Sequence, residues 1–90
     1  MRVMKASEMI LKKQPQKYLE KVDGNTYKKL RKALADLQEW KGDIVKLKNS
    51  AYYRLKIPQY RIIFTYDGEI NIIFVEEIST RGNISYRRYL

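Results

Sequence analysis

The spacing of apolar residues changes period once along this 90-residue chain, at Asp43, and that change restricts the fold more than any other feature. Before it, Tyr27, Leu30, Leu34 and Leu37 recur at intervals of three and four, which puts them on one face of a helix. After it, apolar and polar residues alternate by two, the period of a strand. A chain that is helical first and extended afterwards packs its helices on one face of a mainly antiparallel sheet, an α+β architecture.

The flanking residues set provisional boundaries. Val3 to Leu11 supplies an edge strand, with Met9, Ile10 and Leu11 as its apolar part. A first helix starts near Gln14, because Pro15 is tolerated in a first turn but not in a helix interior. Its inward positions are Tyr18, Leu19 and Val22, and Asp23-Gly24-Asn25 ends it as a turn. Asn25 or Thr26 caps the second helix, whose outer face carries Lys28, Lys29, Arg31, Lys32 and Asp36, and which Trp40 and Gly42 close. Ile44 to Leu47 forms a short strand before a turn at Asn49-Ser50. In 52–57, Tyr52, Arg54 and Lys56 share one face while Tyr53, Leu55 and Ile57 share the other. Pro58-Gln59 leads tightly into a strand over 60–67. Asp67-Gly68 is a hairpin signal before a last strand over 69–78, in which 70–75 is apolar enough to be central. Ninety residues leave no room for a second core, so 1–90 reads as a single domain ending in a short C-terminal tail.

Composition narrows the chemistry. Nineteen Lys and Arg against ten Asp and Glu give a formal charge of +9, a field that draws nucleic acid or another acidic partner. A basic domain that is merely well solvated is the plainer reading. Cysteine is absent, which excludes disulfides, thiolate metal sites and thiol nucleophiles. Histidine is absent too, so the usual acid/base group at neutral pH and the commonest metal ligand are missing. No cofactor or metal is expected. No run approaches the ~20 apolar residues of a membrane span, and the N-terminus lacks the apolar stretch of a signal peptide. A cytoplasmic protein without a membrane partner is the expectation.

The last forty residues gather most of the arginines and phenols. Arg54 and Lys56 lie about 6.6 Å apart along one strand face, and Arg61 on the next strand can stand beside them. Arg81 follows the last strand, in a loop favoured by Gly82 and Asn83, and Tyr86 lies in the tail. These five residues can converge on one groove. RNA can be cleaved without metal or histidine if the ribose 2′-hydroxyl attacks its own adjacent phosphate. Such a site removes one proton, supplies another to the leaving 5′-oxygen, and stabilises extra negative charge on phosphorus. Arginine, permanently protonated, clamps phosphate through paired hydrogen bonds. Lysine and tyrosine have reference pKa values near 10 and serve as bases only among cationic neighbours. Lys56 or Tyr86 is the candidate base, and Arg81 the candidate support for the leaving oxygen. Tyr52, Tyr60, Tyr66 and Tyr89 are candidates for base stacking, with core packing the alternative for Tyr60 and Tyr66. Competing structural roles exist. Arg54 and Lys56 can protect a sheet edge, Arg61 can pair with Asp67 or Glu76, and Arg87 and Arg88 can be a solvated tail that also attracts phosphate.

At these residues the chain resembles the RelE/ParE superfamily of type II toxins. The resemblance rests on a helix pair, then Lys46-Leu47-Lys48, Tyr53-Arg54-Leu55-Lys56-Ile57, Tyr60-Arg61-Ile62-Ile63-Phe64 and a final Tyr86, and covers the chain from about Glu8 to Tyr89. It implies two N-terminal helices on a small, mainly antiparallel sheet. RelE-like members are ribosome-dependent mRNA endonucleases, whereas ParE-like members inhibit DNA gyrase. The RelE pattern places catalytic residues at Arg54, Lys56, Arg61, Arg81 and Tyr86, although lysine is commoner at the Arg54 position. Lys46, Lys48, Arg87 and Arg88 would then bind RNA. The resemblance also implies a cognate antitoxin, the 70S ribosome and mRNA as partners, and contact with operator DNA only through the antitoxin. A non-catalytic RNA-binding domain is a further alternative.

Overall fold

The structure is a computed structural model that describes residues 5–84 and 86–89. Its elements are β1 (Glu8–Leu11), α1 (Lys13–Lys21), α2 (Gly24–Gln38), β2 (Asp43–Lys46), β3 (Tyr53–Ile57), β4 (Tyr60–Asp67), β5 (Ile72–Thr80) and a C-terminal 3-10 turn, Tyr86–Tyr89. The strands form one sheet in the order β1-β5-β4-β3-β2. β1 runs parallel to β5 and every other pair is antiparallel. The expected edge strand is therefore present as 8–11, and Val3, within the expected range, lies outside the described residues.

Leu19, Leu30, Leu34 and Leu37 from the helices pack with Leu55, Ile62, Phe64, Ile73, Val75 and Ile78 from one face of the sheet. Water removal from this apolar layer is the main favourable term in folding. The three- and four-residue spacing in α2 and the two-residue spacing in β3 and β4 both resolve onto this core.

Three boundaries differ from expectation. Asp23, not Asn25 or Thr26, caps α2: its Oδ1 accepts the Thr26 N–H at 2.8 Å, so Gly24 and Asn25 belong to the first turn. That hydrogen bond lowers the Asp23 carboxyl below its ordinary value. The hairpin after Asp67 spans 68–71 instead of turning tightly at Asp67-Gly68. Asp67 Oδ1 accepts the Glu69 N–H at 3.0 Å, and Asn71, at φ 57°, makes the left-handed exit. Consequently β5 starts two residues after Ile70, which is exposed, and runs on to Thr80 through pairing with Tyr60 and Arg61.

A bulge then sets which way β5 faces. Phe64 pairs with Val75 and Ile63 with Glu77, so Glu76 is the extra residue. Ile73, Val75 and Ile78 face the helices, whereas Glu77 and Ser79 fall on the open face. Ile63 is also fully buried but outside the helix-side core. The 3-10 turn is anchored to this open face, and is not a free tail. The Tyr89 hydroxyl donates to Glu77 Oε1, and the Ser79 hydroxyl donates to Glu77 Oε2 at 2.6 Å.

Candidate functional site

The site is built at one end of the sheet, where β3 stops, β4 begins and β5 stops. Pro58 and Gln59 form the β3–β4 turn, with Gln59 at φ 70°, the left-handed value that the third position of a type II turn requires. The Gln59 carbonyl accepts the Arg81 N–H at 3.0 Å, which draws the residue after β5 onto this turn. Arg61 stands opposite Lys56 in the β3–β4 ladder. Its Nη1 donates to the Ile57 and Tyr60 carbonyls at 3.0 and 2.8 Å, so one end of the guanidinium is spent on holding the turn. The fork geometry leaves other N–H groups for a ligand.

These contacts enclose a cavity of about 230 Å³ walled by Lys56, Arg61, Arg81 and Asp43 around the Pro58-Gln59 turn. Three of the five convergent residues expected from sequence thus share one wall. Arg54 lies on the same strand face two residues away, but its Nε is buried with no hydrogen-bond partner among the described residues. Tyr86 sits on the half-exposed start of the 3-10 turn, outside the cavity wall. Lys46 is at the opposite end of β2 from Asp43, and Lys48 lies beyond it in the following turn; both are exposed and neither joins the cavity.

The competing structural roles are largely displaced. β3 is flanked by β2 and β4, so Arg54 and Lys56 do not guard a sheet edge. Arg61 pairs with neither Asp67 nor Glu76; Glu76 instead meets Lys12 Nζ at 3.1 Å and Thr65. Arg88 Nη1 approaches Glu77 at 3.9 Å while its side chain stays mostly exposed, and Arg87 is exposed.

The tyrosines divide by environment. Tyr66 donates to Asn71 Oδ1 at 2.7 Å and packs edge-on to Trp40, a core role. Tyr52 packs edge-on to Tyr89 with ring centroids 4.7 Å apart. Tyr89 is nearly buried, and burial followed by its hydrogen bond to Glu77 pushes its phenol well above the ordinary range. Tyr89 is therefore a structural anchor rather than a stacking platform. Tyr60 is half-buried, with Lys29 Nζ 5.4 Å from its ring centroid. Burial, and then the nearby Tyr60 phenol, raise the pKa of Tyr18 on α1.

Sequence reasoning missed Asp43, Gln59 and Glu77. Asp43 reaches the site because β2 pairs it with Lys56, a register that no local pattern announces. Gln59 had a local signal, the Pro at the preceding position, but its role as acceptor for Arg81 is tertiary. Glu77 carries no local signal, because the bulge is what places it on the open face where Tyr89 and Ser79 donate to it. Chemically, three cations beside one carboxylate, with the Arg61 guanidinium held by its two carbonyl bonds, can cradle a phosphodiester.

Neither a protein-family profile nor a curated protein matches the chain. Solved structures do. A chain of the archaeal RelE–RelB complex from Pyrococcus horikoshii OT3 superposes with a TM-score of 0.71 at 20% identity, over 88% of this chain and 99% of that one. One from the RelB–RelE antitoxin–toxin complex of Methanococcus jannaschii gives 0.64 at 25% identity, over 81% and 91%. A mutant of the E. coli toxin RelE in the free state gives 0.67 at 19% identity, over 87% of each. The two helices, the five-stranded sheet and the short C-terminal 3-10 turn are those of the RelE fold.

Proposed function

We propose that this chain is the toxin of a type II toxin–antitoxin pair and acts as a ribosome-dependent mRNA endonuclease. The observation that carries this reading is the convergence of Lys56, Arg61 and Arg81 on one cavity at the end of a RelE-type sheet. The similar structures from P. horikoshii and M. jannaschii are toxin–antitoxin complexes, which supports an antitoxin as partner here.

In this reading Arg61 and Arg81 clamp the scissile phosphate, and the bonds from Arg61 to the turn carbonyls pre-set its direction. The ribose 2′-hydroxyl gives up its proton and its oxygen attacks the adjacent phosphorus. The bond to the 5′-oxygen breaks, that oxygen takes a proton, and the products are a 2′,3′-cyclic phosphate and a 5′-hydroxyl. Lys56, on the wall, and Tyr86, on the 3-10 turn, are the groups for proton transfer and nucleotide orientation. Arg54 adds positive charge behind the phosphate, and Lys46, Lys48, Arg87 and Arg88 add peripheral attraction. The domain spans 1–90. The ribosome aligns the mRNA, and operator DNA is met only through the antitoxin, all within the cytoplasm.

Primer extension after brief induction tests the proposal. Wild type should produce new mRNA 5′ ends within translated frames, and removal of the start codon should abolish them. An Arg61→Ala/Arg81→Ala variant with unchanged circular dichroism should produce none. Growth arrest with DNA-damage signalling and no new ends would replace this reading with gyrase inhibition. Absence of both effects would leave a non-catalytic RNA-binding domain.

A further inference from the structure

A second groove, of about 450 Å³, is lined by Lys13, Gln14, Lys17, Tyr18 and Lys21 on α1. Lys13, Lys17 and Lys21 recur every four residues, so they rise along one helix face in steps of about 6 Å. Like charges at that spacing oppose the helix, and none of the three forms an ion pair among the described residues. Tyr18, half-buried, lines the groove with them.

The end of β5 links this groove to the phosphate cavity. The Gln14 side chain clamps the Ile78 backbone from both sides, accepting its N–H at 2.9 Å and donating to its carbonyl at 2.8 Å. Three residues later, Arg81 is tied to Gln59 at 3.0 Å. Tyr60, the register partner of Thr80, lies near Tyr18 and carries Lys29 over its ring. The end of β5 therefore holds one cationic surface on each side of itself.

We propose that the α1 groove is a binding track for single-stranded RNA, carrying the nucleotides that flank the segment held at Arg61 and Arg81. Lys13, Lys17 and Lys21 take successive phosphates, and Tyr18 offers the edge or face of its ring to a base. A ladder of uncompensated cations beside an aromatic ring is the composition that sequence-tolerant single-strand binding uses. The track rests on the reading of the cavity as an RNA site, and its test separates the two.

The experiment measures fluorescence anisotropy of a labelled, uncleavable 2′-O-methyl RNA 12-mer with the full chain across a salt series. The comparison is with a Lys13→Gln/Lys17→Gln/Lys21→Gln variant, which keeps strong helix formers at all three positions, and with Tyr18→Leu, which keeps the apolar packing. The triple variant should bind about tenfold or more weakly at moderate salt. Its slope of log K against log salt should fall by about 2, the loss of three phosphate contacts to a single strand. Tyr18→Leu should weaken binding several-fold with the slope unchanged. Unchanged affinity and slope in the triple variant overturn the track, even where Arg61→Ala/Arg81→Ala still abolishes mRNA cleavage. If the triple variant loses binding to a poly-glutamate peptide but keeps RNA, the groove serves an acidic protein segment and the track is likewise overturned. Weakened RNA binding together with an absence of mRNA cleavage by wild type would sustain the track and sink the nuclease reading.

Discussion

At the scale of single residues, the candidate site depends on how contacts with the backbone aim its side chains as well as on their charge. Arg61 is useful because its Nη1 is already committed to two carbonyls, which fixes where the rest of the guanidinium points. Arg61→Lys keeps the charge but cannot hold the turn and present a fork together. We expect it to lower cleavage by about a hundredfold or more, as loss of a preorganised donor does, with little change in thermal midpoint. Asp43 brings the one negative charge to the cavity wall. Asp43→Asn should tighten binding of an uncleavable RNA by a few-fold, in keeping with the ~0.2–1 kcal/mol of an exposed charge interaction, and titration at fixed salt measures it. Tyr89 carries a prediction of opposite kind. Its phenol is held above the ordinary value by burial and by Glu77, so the folded state keeps a proton that the unfolded state releases. Stability from this source is complete below about pH 10 and declines as pH rises beyond it. Denaturant melts between pH 9 and 11 should fall less steeply for Tyr89→Phe than for wild type. The same variant at pH 7 should lose about 1–3 kcal/mol, because a buried carboxyl oxygen loses its donor.

At the scale of elements, the periodicities were legible and the junctions were not. The α2 face and the β3 and β4 alternation follow from side-chain spacing, which is local information. The start of α2 was misplaced by two or three residues because Asp23, Asn25 and Thr26 are all competent caps, and only the helix register decides which oxygen meets the third amide. Because the hydrogen bond to Thr26 lowers the Asp23 carboxyl, its stabilisation is complete above the unfolded value near pH 4 and is lost as pH falls through the folded value. Asp23→Ser, a cap that does not titrate, should flatten the acid limb of a pH–stability profile. Gly42 shows a junction where geometry is decisive. It sits at φ 125°, and a Cβ there would stand 2.8 Å from Leu55 Cδ1. Gly42→Ala therefore meets both backbone strain and a core clash, and should cost about 1–3 kcal/mol by chemical denaturation. The late start of β5 had a comparable cause. Asp67-Gly68 reads as a two-residue turn, but the Asp67 side chain bonds to Glu69 and Asn71 makes the left-handed turn instead.

At the scale of the whole molecule, charge sets two opposed responses to salt. A formal +9 on 90 residues repels itself in the folded state and attracts phosphate from outside. Raising ionic strength from about 10 to 150 mM shortens the screening length from ~30 to ~8 Å. The thermal midpoint should rise over that range while RNA affinity falls. Parallel melts and anisotropy titrations in one salt series would show whether the signs differ; a common sign would mean that specific contacts outweigh the net field. No described helix is long and apolar enough to cross a membrane.

What the sequence determined by itself is whatever local physics settles. Spacing assigned the helices to one face and the strands to an antiparallel sheet. Residue type concentrated arginines and phenols in the second half, and the Tyr-Arg-Leu-Lys-Ile and Tyr-Arg-Ile-Ile segments pointed to the RelE fold. Tertiary structure decided which of those cations meet. Lys56 and Arg61 became neighbours through the tight β3–β4 turn, which was readable, but Arg81 arrived through a backbone bond to Gln59 and Asp43 through the β2–β3 register. Arg54 and Tyr86 were left off the wall, and Tyr89 was drawn under the sheet by a carboxyl group that a bulge had turned towards it. Each of those outcomes depends on residues far apart in the chain, brought together by the register of the whole sheet. Local spacing carries no record of that global constraint.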